Sequence, residues 1–158
     1  MRPLHRVAVF VWMIAIAFPF PAVAEFADGL AAFDAGDYRA AIAAWRSLAE
    51  SGDSDAQVAL AGLHRAGHGV PADAVEAMHW YRLAAEAGNP VAQLNLGDAY
   101  AQGIGVAADP VSAYVWLSLA AAHGRQWPER RRLEIAHTMS SAQMAEAQAR
   151  LDRWRAEH

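Results

Sequence analysis

Between residues 56 and 124 apolar residues recur at spacings of three and four, and they do so twice. Ala92, Leu96 and Tyr100 share one helical face, and further on Ala113, Trp116 and Ala120 do the same. A shift of 36 positions carries Ala56 onto Ala92, Leu60 onto Leu96, Ala77 onto Ala113, Trp80 onto Trp116 and Ala85 onto Ala121. Self-similarity at a fixed spacing of about 20 to 50 residues marks stacked repeats, in which no single unit can bury its own apolar face. The predicted unit is a pair of amphipathic helices.

The turns repeat with the helices. HRAGHGVPAD, starting at His64, falls on YAQGIGVAAD, starting at Tyr100, so Gly67 lands on Gly103, Gly69 on Gly105, Val70 on Val106 and Asp73 on Asp109. Gly67 and Gly103 are expected to end the first helices, where a left-handed residue frees the last carbonyls for capping. Pro71 and Pro110 are expected at or just inside the start of the second helices, where a missing N–H costs little. Asn89, before Pro90, is placed to cap the next helix. Gly52, Gly88 and Gly124 close successive units at the same offset.

At the two ends the pattern changes. Residues 26–52 keep the alanine and tryptophan spacing but turn through a shorter Gly36, Asp37 and Tyr38 connection. After Gly124 the sequence predicts a helix from about Pro128 to His137 and another from about Ser141 to Ala156, with Ser140 and Gln143 as a capping box. Leu133, Ile135, Met144, Ala147, Leu151 and Trp154 would form the apolar stripe that covers the open end of the stack. At the amino terminus Arg2 and Arg6 precede an uncharged run from Val7 to Phe18 and a tail PFPAVA, read as helix-breaking. The run is shorter than the roughly twenty residues of a membrane span. It reads as a secretory signal peptide cut after Ala24.

Composition narrows the chemistry. The thirteen basic residues are all Arg and there is no Cys, which excludes lysine and cysteine nucleophiles, the lysine of a phosphate loop, thiolate zinc sites and disulfides. From Glu25 onward seventeen acidic residues against eleven arginines leave a formal charge of −6, so no nucleic-acid footprint is expected. His64 and His68 have the spacing of paired metal ligands, but Gly67 should end the helix between them, and the echoing turn holds Ile104 in place of His68. His64 is therefore expected to pack, and His68 to sit exposed on a loop. Gly67-His68-Gly69 follows a helix instead of a strand and lacks the further glycine or lysine of a phosphate cradle. Glu129 to Arg132 read as surface charge, and Trp45, Trp80 and Trp116 as packing residues. No cofactor or metal is expected, and no catalytic residue.

Ala92, Leu96, Gly97, Tyr100, Gly103, Gly105, Val106, Asp109, Ala113, Trp116, Ala120, Ala121 and Gly124 together resemble the Sel1-like repeat, a relative of the tetratricopeptide repeat. The preceding unit departs from it at Ala61 for glycine and His64 for tyrosine. The resemblance implies an all-α fold, an α/α superhelix of helix-turn-helix repeats with a carboxy-terminal helical cap. The division expected is 1–24 signal peptide, 25–125 repeat array (about 26–52, 53–88 and 89–124) and 126–158 capping helices. Such a superhelix presents a concave wall of first helices suited to a segment of another protein. Projection of groove-facing tetratricopeptide positions selects Arg65, Asp98 and Gln102 as partner-binding residues. Exported relatives imply a non-enzymatic adaptor in the periplasm or secreted, with a protein or peptide partner in the bacterial cell envelope and no stable membrane insertion after signal removal. Two alternatives stand beside it: an exported hydrolase of cell-wall or lactam substrates, whose relatives carry paired cysteines absent here, and a scaffold tethered by an uncleaved signal.

Overall fold

Eight helices account for most of residues 21–124 and 126–158, which are the residues that the computed structural model describes. Three hairpins come first: α1 (Pro21–Asp34) with α2 (Tyr38–Glu50), α3 (Ser54–Ala66) with α4 (Ala74–Glu86), and α5 (Pro90–Gln102) with α6 (Pro110–Ala121). Two further helices follow, α7 (Gln126–Ala136) and α8 (Ser141–Glu157). Each helix through α7 packs on its sequence neighbour, whereas α8 turns back onto α6. The result is an α/α superhelix with a helical cap, and no strand occurs among the described residues.

Most of the segment read as a signal peptide, residues 1–20, lies outside the described residues. Its last four residues open α1, so the expected break at PFPAVA does not extend past Pro21. Proline is tolerated at a first helical position because that N–H has no partner within the helix.

Carboxylate and amide caps set the helix starts. Asp53 accepts from the Ala56 N–H at 2.8 Å, Asp73 from Val75 and Glu76, Asn89 from Val91 and Ala92, and Asp109 from Val111. Gly67 and Gly103 end α3 and α5 in the left-handed conformation, both at φ 72°. Pro71 departs from expectation: it precedes the Asp73 cap and lies outside α4, while Pro110 occupies the first turn of α6. The two prolines are 39 positions apart and so are not equivalent in a 36-residue unit. Gly69 and Gly105 do more than turn the chain. Both have positive φ, and a Cβ at Gly105 would overlap the Ala74 carbonyl of the preceding hairpin.

Fully buried alanines, among them Ala56, Ala77, Ala92 and Ala113, let the helices approach closely around Trp45, Leu60, Trp80 and Leu96. Neighbouring units are also gripped by their backbones. The buried Gln57 donates its amide to the Ala49 carbonyl at the end of α2, 3.0 Å away, and Gln93 repeats this on Ala85 at the end of α4, at 3.3 Å.

A second apolar cluster joins α6 to α8 through Val111, Tyr114, Val115, Leu119, Ala147 and Leu151. Trp116 packs against both clusters and is half-buried, unlike Trp45 and Trp80, because no further repeat follows to cover it. The Ser140 and Gln143 capping box forms as expected. Leu133 does not join the stripe and is 46 % exposed. Helix α7 instead turns Pro128, Arg131, Arg132 and Ile135 toward the stack, positions three and four apart on the face roughly opposite Leu133.

Candidate partner-binding surface

Helices α3 and α5 are neighbours, tied by hydrogen bonds at two places. Near their starts the Asn89 amide that caps α5 also donates to Asp55 at 2.8 Å and to the Ser54 hydroxyl at 3.3 Å. From the end of α3, Arg65 Nη1 donates to Asn95 Oδ1 in the middle of α5 at 3.3 Å, and Asn95 is itself oriented by donating to the Val91 carbonyl at 2.8 Å. Between them opens a depression of about 190 Å³ whose polar wall is Arg65, Asn95, Asp98 and Gln102 and whose apolar floor includes Met78 and Ile104. The three residues selected from sequence therefore share one site. Asn95, Met78 and Ile104 were not selected; Asn95 lies one turn before Asp98 on the same face, which is the signal that identifies it.

The charges here are unequal. Asp98 accepts from Arg131 Nε at 2.9 Å, and Arg131 also pairs with Glu134, so the cap neutralises the one carboxylate of the site. Those two partners raise the Arg131 pKa above its ordinary value, with Asp98 contributing most. Among the described residues the Arg65 guanidinium bonds the neutral Asn95 amide and no carboxylate. Its charge reaches Tyr81, whose hydroxyl pKa is raised by burial and partly offset by Arg65. The charged run at 129–132 is thus more than solvated surface. Arg131 holds Asp98, Arg132 pairs with Glu129 at 2.6 Å and donates to the Tyr114 hydroxyl at 2.8 Å, and Arg130 lies over the Trp127 ring.

His64 and His68 are separated by the Gly67 cap. His64 is buried, and its Nε2 has no hydrogen-bond partner, whereas the equivalent Tyr100 accepts from Arg82 at 2.9 Å. The exposed His68 stacks on Tyr38, with ring centroids 4.6 Å apart. A second groove, about 210 Å³, opens between α6 and α8 over Trp116 and Trp154. Its Arg150 is already held by Glu146 and donates to the Ser112 hydroxyl. The α3–α5 depression differs from it in being lined by the first helices of two successive repeats and in holding all three residues selected from sequence.

The Sel1 repeat family model matches residues 54–89 and 90–124, one α-helical hairpin each. The crystal structure of a Sel1 repeat protein from Oxalobacter formigenes is 36% identical over 72% of this chain and 89% of its own, with a TM-score of 0.67. The chain belongs to the Sel1 repeat family. The crystal structure of c5321, a protective antigen present in uropathogenic Escherichia coli strains and displaying an SLR fold, is also similar, at 28% identity over 84% of this chain and a TM-score of 0.78. This chain spans 29% of c5321. Among proteins of curated function none matches. Sel1 repeat proteins are generally protein-interaction scaffolds, and the fold is typically non-catalytic. The departures at Ala61 and His64 fall within the first matched Sel1 repeat, so the fold tolerates both.

Proposed function

We propose that this Sel1 repeat protein is a non-enzymatic adaptor of the bacterial cell envelope, exported with loss of residues 1–24, that holds a segment of a partner protein along its first helices. The observation that carries the reading is the depression between α3 and α5. Side chains from two successive repeats converge there with open donors and acceptors above an apolar floor, the combination by which a groove orients and retains a peptide. The amino-terminal pattern of Arg2, Arg6 and an apolar run supports export.

A photo-crosslinking residue placed at Gln102 tests the binding surface in the exported protein. The expected result is a discrete adduct with one envelope protein, weakened by Asn95→Ala and absent when the same residue is placed at the exposed Arg46 on α2. Equal adducts from both positions would refute the groove assignment. Asp98 is unsuited as the probe because its loss also releases Arg131.

A further inference from the structure

Ten of the eleven glycines have a reason within the fold. Eight take positive φ, and at Gly29 and Gly97 a methyl group would overlap Trp45 or Leu117 of the facing helix. Gly62 has neither reason. It sits in the interior of α3 with ordinary helical backbone, and a Cβ built there meets nothing within 4 Å. Glycine in a helix interior is destabilising relative to alanine. What it provides in return is room for another main chain to come close.

The place of Gly62 in the array agrees with that use. Gly29, Ala61 and Gly97 each stand five residues before the last residue of α1, α3 and α5, which puts the first helices of the three units in register. One residue on, the equivalent positions are Leu30, Gly62 and Asp98, so Gly62 is the middle of three matching positions, between an exposed leucine and a residue of the polar depression. Four residues on, they are Phe33, Arg65 and Ala101. Leu30 and Phe33 are 47 % and 38 % exposed. Among the described residues no carboxylate lies within 4.0 Å of Arg65, the helical neighbour of Gly62 one turn along.

We propose that the main chain of the partner segment crosses α3 directly over Gly62, that a carboxylate of this segment pairs with Arg65, and that an adjacent apolar side chain rests on Leu30 and Phe33. The inference rests on the groove reading above and adds the chemistry of what the groove takes: an acidic, apolar-flanked peptide. The array carries net negative charge, but screening over about 8 Å at physiological ionic strength leaves the contact pair to decide. Arg65 is unopposed there, and Asp98 is neutralised by Arg131.

A random peptide library displayed on phage, selected against the mature chain, tests this. Binders are expected to carry Asp or Glu beside an aliphatic residue. Gly62→Leu should lower their affinity at least about tenfold by filling the crossing point, while its melting temperature stays equal or rises because leucine is the better helix former. Arg65→Glu should lower the same affinities and, when selected afresh, enrich Lys and Arg. Binders that are lost on Asn95→Ala or Gln102→Ala but keep full affinity for Gly62→Leu overturn this inference and leave the groove reading intact. A library in which no binder is weakened by any of the four substitutions overturns both.

Discussion

The repeat array and the cap are held together by different forces. Residues 25–124 contain twelve acidic residues and four arginines, and no ion pair within 4.0 Å joins two of them among the described residues. Its cohesion comes from buried alanine, leucine and tryptophan, from side-chain caps and from glycine turns pressed onto the preceding hairpin. Residues 125–158 contain seven arginines and five acidic residues. Every ion pair among the described residues involves one of those arginines, including the links from Arg131 to Asp98 and from Arg150 to Asp109 that fasten the cap to the array. Apolar burial is largely indifferent to salt, whereas exposed pairs are each worth about 0 to 1 kcal/mol and are screened. Salt and acid are therefore expected to act on the cap, above all on α7, before they act on the array.

The most severe test of this contrast is Gly105→Val. A β-branched residue at φ 68° is strained, and its Cβ must displace the Ala74 carbonyl, so a loss of about 3 to 5 kcal/mol in circular-dichroism melts is expected. A loss under about 1 kcal/mol would show that the turn is not clamped. Next in size is the cap. Arg131→Ala should lower amide protection in α7 by about 1 kcal/mol and leave α3 and α4 unchanged by hydrogen exchange, with molar salt reproducing most of the effect in the unsubstituted protein.

Acid should act on the same end. The Arg132 hydrogen bond holds the Glu129 carboxyl below its ordinary pKa. Burial alone would raise that of Asp109, but hydrogen bonds from Ser112 and the Val111 N–H, with the Arg150 charge, bring it below its ordinary value. For carboxyls depressed in this way the stabilisation is present above their unfolded pKa and disappears as pH falls through the folded one. Amide protection around α7 and the start of α6 is therefore expected to fall between about pH 5 and pH 3, ahead of α3 and α4. Simultaneous loss throughout would erase the distinction between array and cap. The smallest effect is reserved for His68→Ile. Ile104 already occupies the equivalent turn, and an aliphatic side chain can still lie on Tyr38, so the change should stay under about 1 kcal/mol in a thermal melt.

The same division separates what was legible in the sequence from what was not. Periodicity at three and four, glycine at the turns and the Asn89 cap are local signals, and the helices of the two matched repeats follow them closely. Pro71 was misplaced because proline is compatible both with a loop and with a first helical turn, and only the Asp73 cap decides between them. In the cap, apolar residues are sparse and the inward face of α7 is built partly of arginine, so a reading that follows apolar stripes selects Leu133 and overlooks Arg131. Arg65, Asp98 and Gln102 were found together because they occupy repeat positions. The partner of Asp98 was invisible because Arg131 comes from outside the repeat.

The grip of Gln57 on Ala49 and of Gln93 on Ala85 bears on how such a chain changes length during evolution. Each of the two matched repeats brings a glutamine amide that bonds the last turn of its predecessor, and the first of them ends in a carbonyl that receives the same bond from its successor. A duplicated unit inserted between Gly88 and Asn89 arrives with both halves of that junction already matched, whereas a partial insertion leaves a buried glutamine and a buried carbonyl without each other. Gene duplication can therefore lengthen the groove in whole-unit steps, adding new recognition positions while leaving every older junction untouched.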